Sequence, residues 1–278
     1  MSVKGKLFFC ALLVVLLNVP STAQTYLPLG GRFYIMAEYG FLDVLSHTGQ
    51  FSEDGSDIDY VQEGGQENLY PFYRLALRFD VAERHRFSIL YQPLSLITEE
   101  TATRDLLIDQ QTFPEGTPVR FVYNFPFYRA GYLYSFTESD SRFMFGAGAA
   151  LQIRNADIQF RSLDGTLLRT SRDVGLVPLV KLAAGYRVTD YFWLEALVDG
   201  IYAPVRYLNL SDTDVEGALI DANLRGVFTP QAFAGIYANV RYLAGGAEGT
   251  SETEGPGDGF VSNWLHFLTV SLGFTLYL

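Results

Sequence analysis

Leu268-Thr269-Val270-Ser271-Leu272-Gly273-Phe274-Thr275-Leu276-Tyr277-Leu278 is the stretch that decides the fold. Its even positions read Leu, Val, Leu, Phe, Leu, Leu; its odd positions read Thr, Ser, Gly, Thr, Tyr. Side chains alternate between the two faces of a strand, so this pattern gives one greasy face and one small or polar face. The alternation runs to the carboxyl end, where a soluble sheet usually carries a polar tail.

The same alternation recurs upstream. Phe33, Ile35, Ala37, Tyr39 and Phe41 share one face; Tyr34, Met36, Glu38 and Gly40 share the other. Leu75, Leu77, Phe79 and Val81 oppose Arg74, Ala76, Arg78 and Asp80, and Phe87, Ile89 and Tyr91 oppose Ser88 and Gln92. In 118–136 the alternation reads Phe121, Tyr123 and Phe125 outward with Arg120 and Asn124 inward. After Pro126 it reads Tyr128, Ala130, Tyr132 and Tyr134 outward with Arg129 inward. A β-bulge at Pro126 is expected to make that flip. Further strands are expected over 143–153, 181–187, 192–199, 232–242 and 263–278. That makes nine, whereas bacterial single-chain barrels have an even number. Segment 217–228, with Ile220, Ala222 and Leu224 opposing Asp221, Asn223 and Arg225, supplies the tenth.

The connections fall into two classes: short ones near 82–85, 137–141, 188–190 and 229–231, and long ones at 46–68, 98–117, 162–172, 204–216 and 244–262. Short turns at one end and long loops at the other are the signature of a transmembrane barrel. The expectation is an all-β chain forming a closed antiparallel transmembrane β-barrel of 10 strands, with 8 or 12 as alternatives. A soluble sandwich or lipocalin-like barrel would have to bury the outward aromatics under a second layer.

The final segment resembles the C-terminal assembly signal of bacterial outer-membrane β-barrels. It departs in ending on Leu278, with the aromatic Tyr277 one place earlier. Residues 24–278 as a whole resemble small outer-membrane barrel proteins of Gram-negative bacteria. That resemblance implies outer-membrane lipid around the wall and the barrel-assembly machinery as a partner of the last strand.

The amino end agrees with export. Lys4 and Lys6 precede an apolar run from Leu7 to Leu17, and Pro20-Ser21-Thr22-Ala23 sets up cleavage before Gln24. Cys10 lies inside the run, ahead of most of its own signal, which disfavours lipid attachment. The expectation is a signal peptide over 1–23 and one barrel domain over 24–278. The latter has no cysteine, hence no disulfide, and holds 18 basic against 31 acidic residues, a formal charge of −13. Nucleic acid, which needs a basic footprint, is not an expected partner. No apolar run reaches the length of a membrane-spanning helix. The 18 Tyr and 22 Phe suit a barrel with aromatic girdles.

Charge is sorted by place. Loop 46–68 carries Glu53, Asp54, Asp57, Asp59, Glu63 and Glu67 with no basic residue, and loop 244–262 carries Glu248, Glu252, Glu254 and Asp258. These read as solvated loops. Asp54, Asp57 and Asp59 are also candidate ligands for a divalent cation, though their spacing completes no calcium-loop pattern. The inward face is expected to hold Arg74, Arg78, Arg120, Arg129, Arg154, Lys181, Arg187, Arg225 and Arg241 against Glu38, Asp80, Glu195, Asp199 and Asp221. Charges away from bulk water must be paired or wetted. They therefore form either an interlocked plug or a narrow anion-preferring passage. Gly146, Gly148, Ala150, Ala183 and Gly185 leave space on the wall and favour the passage.

No nucleophile elbow, phosphate loop or zinc motif is present, and no cofactor is expected. His47 and His266, on strands that closure makes neighbours, with Ser46, Ser262, Asn263 and Asp43 nearby, are the candidates for a rim hydrolase acting on lipid or peptide. They match neither the omptin proteases nor the lipid A deacylases residue by residue. His266 in Trp264-Leu265-His266-Phe267 also suits an interface aromatic belt. The leading expectation is a non-enzymatic barrel, structural or surface-interacting, or a narrow pore. A hydrolase and a loop-mediated adhesin are its rivals.

Overall fold

The computed structural model describes residues 32–138, 140–204, 214–250 and 257–278. The expected signal peptide, most of loop 204–216, and Glu252 and Glu254 lie outside the described residues. The strands are β1 (Arg32–Phe51), β2 (Ile58–Asp59), β3 (Tyr70–Val81), β4 (His85–Gln92), β5 (Ser95–Thr101), β6 (Leu106–Ile108), β7 (Gln111–Phe113), β8 (Pro118–Asn124), β9 (Phe127–Ser135), β10 (Phe143–Ser162), β11 (Leu168–Arg187), β12 (Phe192–Pro204), β13 (Asp214–Gln231), β14 (Ala234–Thr250) and β15 (Phe260–Tyr277).

Ten staves make the wall, because β4 continues into β5 and β8 into β9. All neighbours are antiparallel, and β1 pairs with β3 on one side and β15 on the other, which closes the barrel. The alternating segment 268–278 is the closing seam: Met36 pairs with Thr275, Glu38 with Gly273 and Gly40 with Ser271. Gly40 allows the strands this close approach, since a β-carbon there would collide with the backbone of Val270 and Ser271. The tenth expected strand, 217–228, lies within β13, paired on both sides.

A belt of apolar side chains faces outward. Ile89, Val180, Ile236 and Leu272 are each at least 60 % exposed. An apolar band this continuous is lipid-facing surface and not the outside of a soluble protein. On β10 it runs from Phe143 to Ile153, after which Asn155, Asp157, Gln159 and Arg161 face outward instead. Eleven tilted residues span about 25 Å, the height of the hydrocarbon band. The wall beyond Ile153 stands clear of that band.

That extension explains two departures from the sequence reading. There is no parity flip at Pro126. Gln92 pairs with Phe127 and Ser95 with Asn124, three steps on each strand, so the register passes the proline unchanged. Phe121 and Tyr123 therefore point inward, 1 % and 2 % exposed, and Arg120 points outward beside Glu99. Above the lipid band the outside is water and the inside is apolar, so polarity reverses while parity does not. The second departure is in the loops. Segment 162–172 is mostly strand, with a turn over 163–167 closed by Ser162 Oγ donating to Asp164 Oδ1 at 2.6 Å. Likewise β1 extends to Phe51 and β14 to Thr250. Their water-facing outer sides lack the apolar alternation that marks lipid-facing strands.

Candidate functional site in the barrel interior

Moving inward from the end that carries Arg32, Leu278 and the short turns, the lumen holds an open vestibule, a charged layer and an apolar ceiling.

The charged layer is written into the strand register. Glu38 stands directly opposite Arg74, Lys181 opposite Asp199, Glu195 opposite Arg225 and Arg129 opposite Gln152. Arg74 donates to Glu38 Oε2 from Nη2 at 2.7 Å and from Nε at 3.2 Å. Glu38 Oε1 also accepts from Ser271 Oγ at 2.6 Å and Asn239 Nδ2 at 2.9 Å. Arg241 grips Asp221 through Nε at 2.6 Å and Nη2 at 2.8 Å, and its Nη1 crosses to Gln92 Oε1 at 2.6 Å. Arg129 Nη1 bonds to Asp199 at 2.6 Å and Asp221 at 2.7 Å, while Lys181 Nζ reaches both oxygens of Asp199. Forked, charge-assisted bonds of this kind are the strong ones, and they offset the several kcal/mol that each ion loses on leaving water. Arg241 is 0 % exposed in the middle of the lumen.

Seven cations (Arg74, Arg78, Arg86, Arg129, Lys181, Arg225 and Arg241) share five acids (Glu38, Asp80, Glu195, Asp199 and Asp221). Three expected members stand elsewhere. Arg120 is on the outer face. Arg154 pairs with Asp173 nearer the loops, and Arg187 sits at the turn end with its guanidinium 5.9 Å from the Trp193 ring. The sequence reading did not single out Arg86, Gln92, Gln152, Asn223, Asn239 or Ser271. Their parity places them inside; Gln92, Gln152, Asn223, Asn239 and Ser271 are neutral and give no charge signal, whereas the inward parity and charge of Arg86 were both present in the sequence.

Above this layer the ceiling closes. Leu42, Phe72, Leu96, Phe127 and Phe267 from the wall pack with Ile58, Tyr60, Leu106, Ile108 and Phe113 from the loops. Arg241 lies against its underside, 5.7 Å from the ring centres of both Phe127 and Phe267. The β6–β7 hairpin is tied to loop 52–69 by Ser56 N to Leu107 O at 2.7 Å and to β1 by Asp109 N to Phe51 O at 3.0 Å.

The candidate catalytic residues are not brought together. A bulge between Val44 and Ser46 reverses the facing of β1, so His47 turns inward. There it stacks on Tyr60 at 4.1 Å, with Nδ1 2.7 Å from Gln66 Oε1 and Nε2 3.3 Å from Asn263 Oδ1. His266 faces out, its Nδ1 3.0 Å from the Tyr242 hydroxyl, and Ser262 Oγ donates to Glu248 at 2.9 Å. Asp54, Asp57 and Asp59 do not converge either. Asp59 Oδ1 caps its own turn at Val61 N and Gln62 N, and the Asp57 carbonyl accepts from Arg104. Among the described residues, no group of three or more His, Cys, Asp or Glu side chains is placed to hold a metal.

No protein-family model matches the chain, and no curated protein matches it in sequence. Solved structures do. The outer membrane protease OmpT of Escherichia coli superposes with a TM-score of 0.52 at 11 % identity, over 93 % of this chain and 100 % of that one. The attachment invasion locus protein Ail of Yersinia pestis gives a TM-score of 0.35 at 12 % identity, over 88 % and 99 %. The toluene transporter TodX of Pseudomonas putida gives 0.35 at 9 %, over 94 % and 93 %. The OmpT likeness establishes a shared fold. The chain has the architecture of the bacterial outer-membrane β-barrels, and this supports an outer-membrane location.

Proposed function

We propose that this chain is a non-conducting, non-enzymatic outer-membrane barrel with a structural and surface-interaction role, exported by cleavage before Gln24. The observation that carries the reading is the double seal. A charged layer crosses the full lumen from β3 to β13, where Arg74 Nη1 donates to Asn223 Oδ1 at 3.3 Å, and an apolar ceiling closes over it. An ion would have to break interlocked pairs and then cross a largely apolar region whose polar groups, His47, Gln66 and Asn263, are bonded to one another. With apolar loop residues turned inward, the described part of the outer end exposes acidic side chains such as Glu53, Asp54, Glu67 and Glu248, as an interaction platform would. Outer-membrane lipid and the assembly machinery acting on β15 are the partners this reading implies.

Planar-bilayer recording of refolded protein tests it, with retarded heat-dependent migration in SDS confirming the fold. Silence across the voltage range supports the closed barrel. Discrete steps with anion preference would overturn it in favour of the narrow pore.

A further inference from the structure

Among the described residues, none fills the end of the lumen that carries the short turns. A cavity of about 440 Å³ opens there below the charged layer. Two features hold it open. Trp193 lies flat against the wall over Gly185, and Tyr237 lies flat over Gly273; a β-carbon at either glycine would collide with the ring. A bulkier residue at these positions would push the rings into the lumen, as side chains fill other small barrels.

The roof of the cavity carries an imbalance. Among the described residues, the ion pairs of Arg78, Arg86 and Arg225 are shared between two acids, Asp80 and Glu195. Arg78 is committed to Asp80, with Nε at 2.8 Å from Oδ1. Arg86 bonds to Glu195 at 3.2 Å. Arg225 lies over the Tyr237 ring at 5.0 Å and makes one long 3.5 Å contact to Glu195; its Nε has no hydrogen-bond partner, and it is 8 % exposed. A buried guanidinium normally satisfies its donors, so this one is short of an acceptor. Around it stand the rings of Trp193, Tyr34 and Tyr237 and the apolar side chains of Met36, Met144 and Leu133. The lining is mixed, with nine charged side chains among twenty-two, and a concave volume of this size falls in the range of small-molecule pockets.

We propose that this vestibule binds a small monocarboxylate with a flat ring. The carboxylate sits against Arg225, completing the three-to-two charge set, and the ring lies between Trp193 and Tyr237. Access is from the turn side, so the site is independent of the outer surface invoked for the barrel's main role.

The test uses Trp193 as reporter in a Trp264→Phe background, titrating the detergent-folded full chain with 4-nitrobenzoate, a quencher, and with neutral 4-nitrobenzyl alcohol. Saturable quenching by the carboxylate, about tenfold tighter than by the alcohol, is expected from one charge-assisted contact. Arg225→Gln should weaken it about tenfold or more. Met144→Phe keeps every charge, fills the cavity and should abolish binding even if the arginine variant fails to fold. Linear, non-saturating quenching, equal affinity for both probes, or indifference to Met144→Phe would overturn the proposal.

Discussion

Asp199 and Asp221 stand directly opposite each other on β12 and β13, and a single nitrogen, Arg129 Nη1 from the far wall, bonds to both at 2.6 and 2.7 Å. Two like charges in cross-strand register repel. Here they are held together by a cation from β9, supported by Lys181 on one acid and Arg241 on the other. The three strands are thereby joined through the lumen as well as around the wall.

Arg129→Ala should therefore cost about 3–5 kcal/mol, the range for breaking a buried pair, because two carboxylates are left with fewer partners. Urea unfolding in lipid vesicles measures this. Arg120→Ala, on the outer face, should cost less than about 1 kcal/mol.

The two seals should be separable. Arg241→Ser alone should stay silent in bilayer recordings, because the apolar ceiling remains. Combining it with deletion of 103–115, which removes the β6–β7 hairpin, should give conductance steps. Steps from Arg241→Ser alone would show that the ceiling leaks.

Phe113 is fully buried in the ceiling although it belongs to a loop. Phe113→Ala should destabilise that packing by about 3–5 kcal/mol. The loss is local, so the barrel should keep its heat-dependent migration while protease cuts within 102–117 many times faster. Unchanged cleavage would mean that the hairpin is not held by this side chain.

The hydrogen bond from Arg104 holds the Glu63 carboxyl below its usual range. A depressed folded value means that the contribution is present above the unfolded value of about 4.3 and is lost as pH falls through the folded one. Amide exchange in 57–64 should accelerate below about pH 4. Glu63→Gln should remove most of that pH dependence. An unchanged profile in the variant would assign the effect to another carboxylate.

Much of this molecule was legible from period-two spacing. The ten staves, the inward facing of Arg74, Arg129 and Lys181, and the seam from 268 to 278 all follow from which residues share a face. The errors have two local causes. One extra residue at Leu45 turned His47 from the rim into the ceiling. Reversal of the surroundings above the lipid band turned Phe121 and Tyr123 inward and Arg120 outward. The extra residue leaves no mark in the alternation, and the reversal shows only as the apparent flip at Pro126, which a bulge and a change of surroundings produce alike.

By itself the sequence determined the barrel, because alternating faces and an even strand count depend on local spacing and on the need to pair every backbone group in a membrane. Only the tertiary structure decided what fills the lumen. Arg241 and Gln92 are separated by 149 positions, and Arg129 and Asp221 by 92. Such contacts depend on barrel circumference and tilt, which bring opposite walls within reach of an arginine side chain. The apolar ceiling and the empty vestibule arise in the same way, from where long loops return and where glycines let rings lie flat.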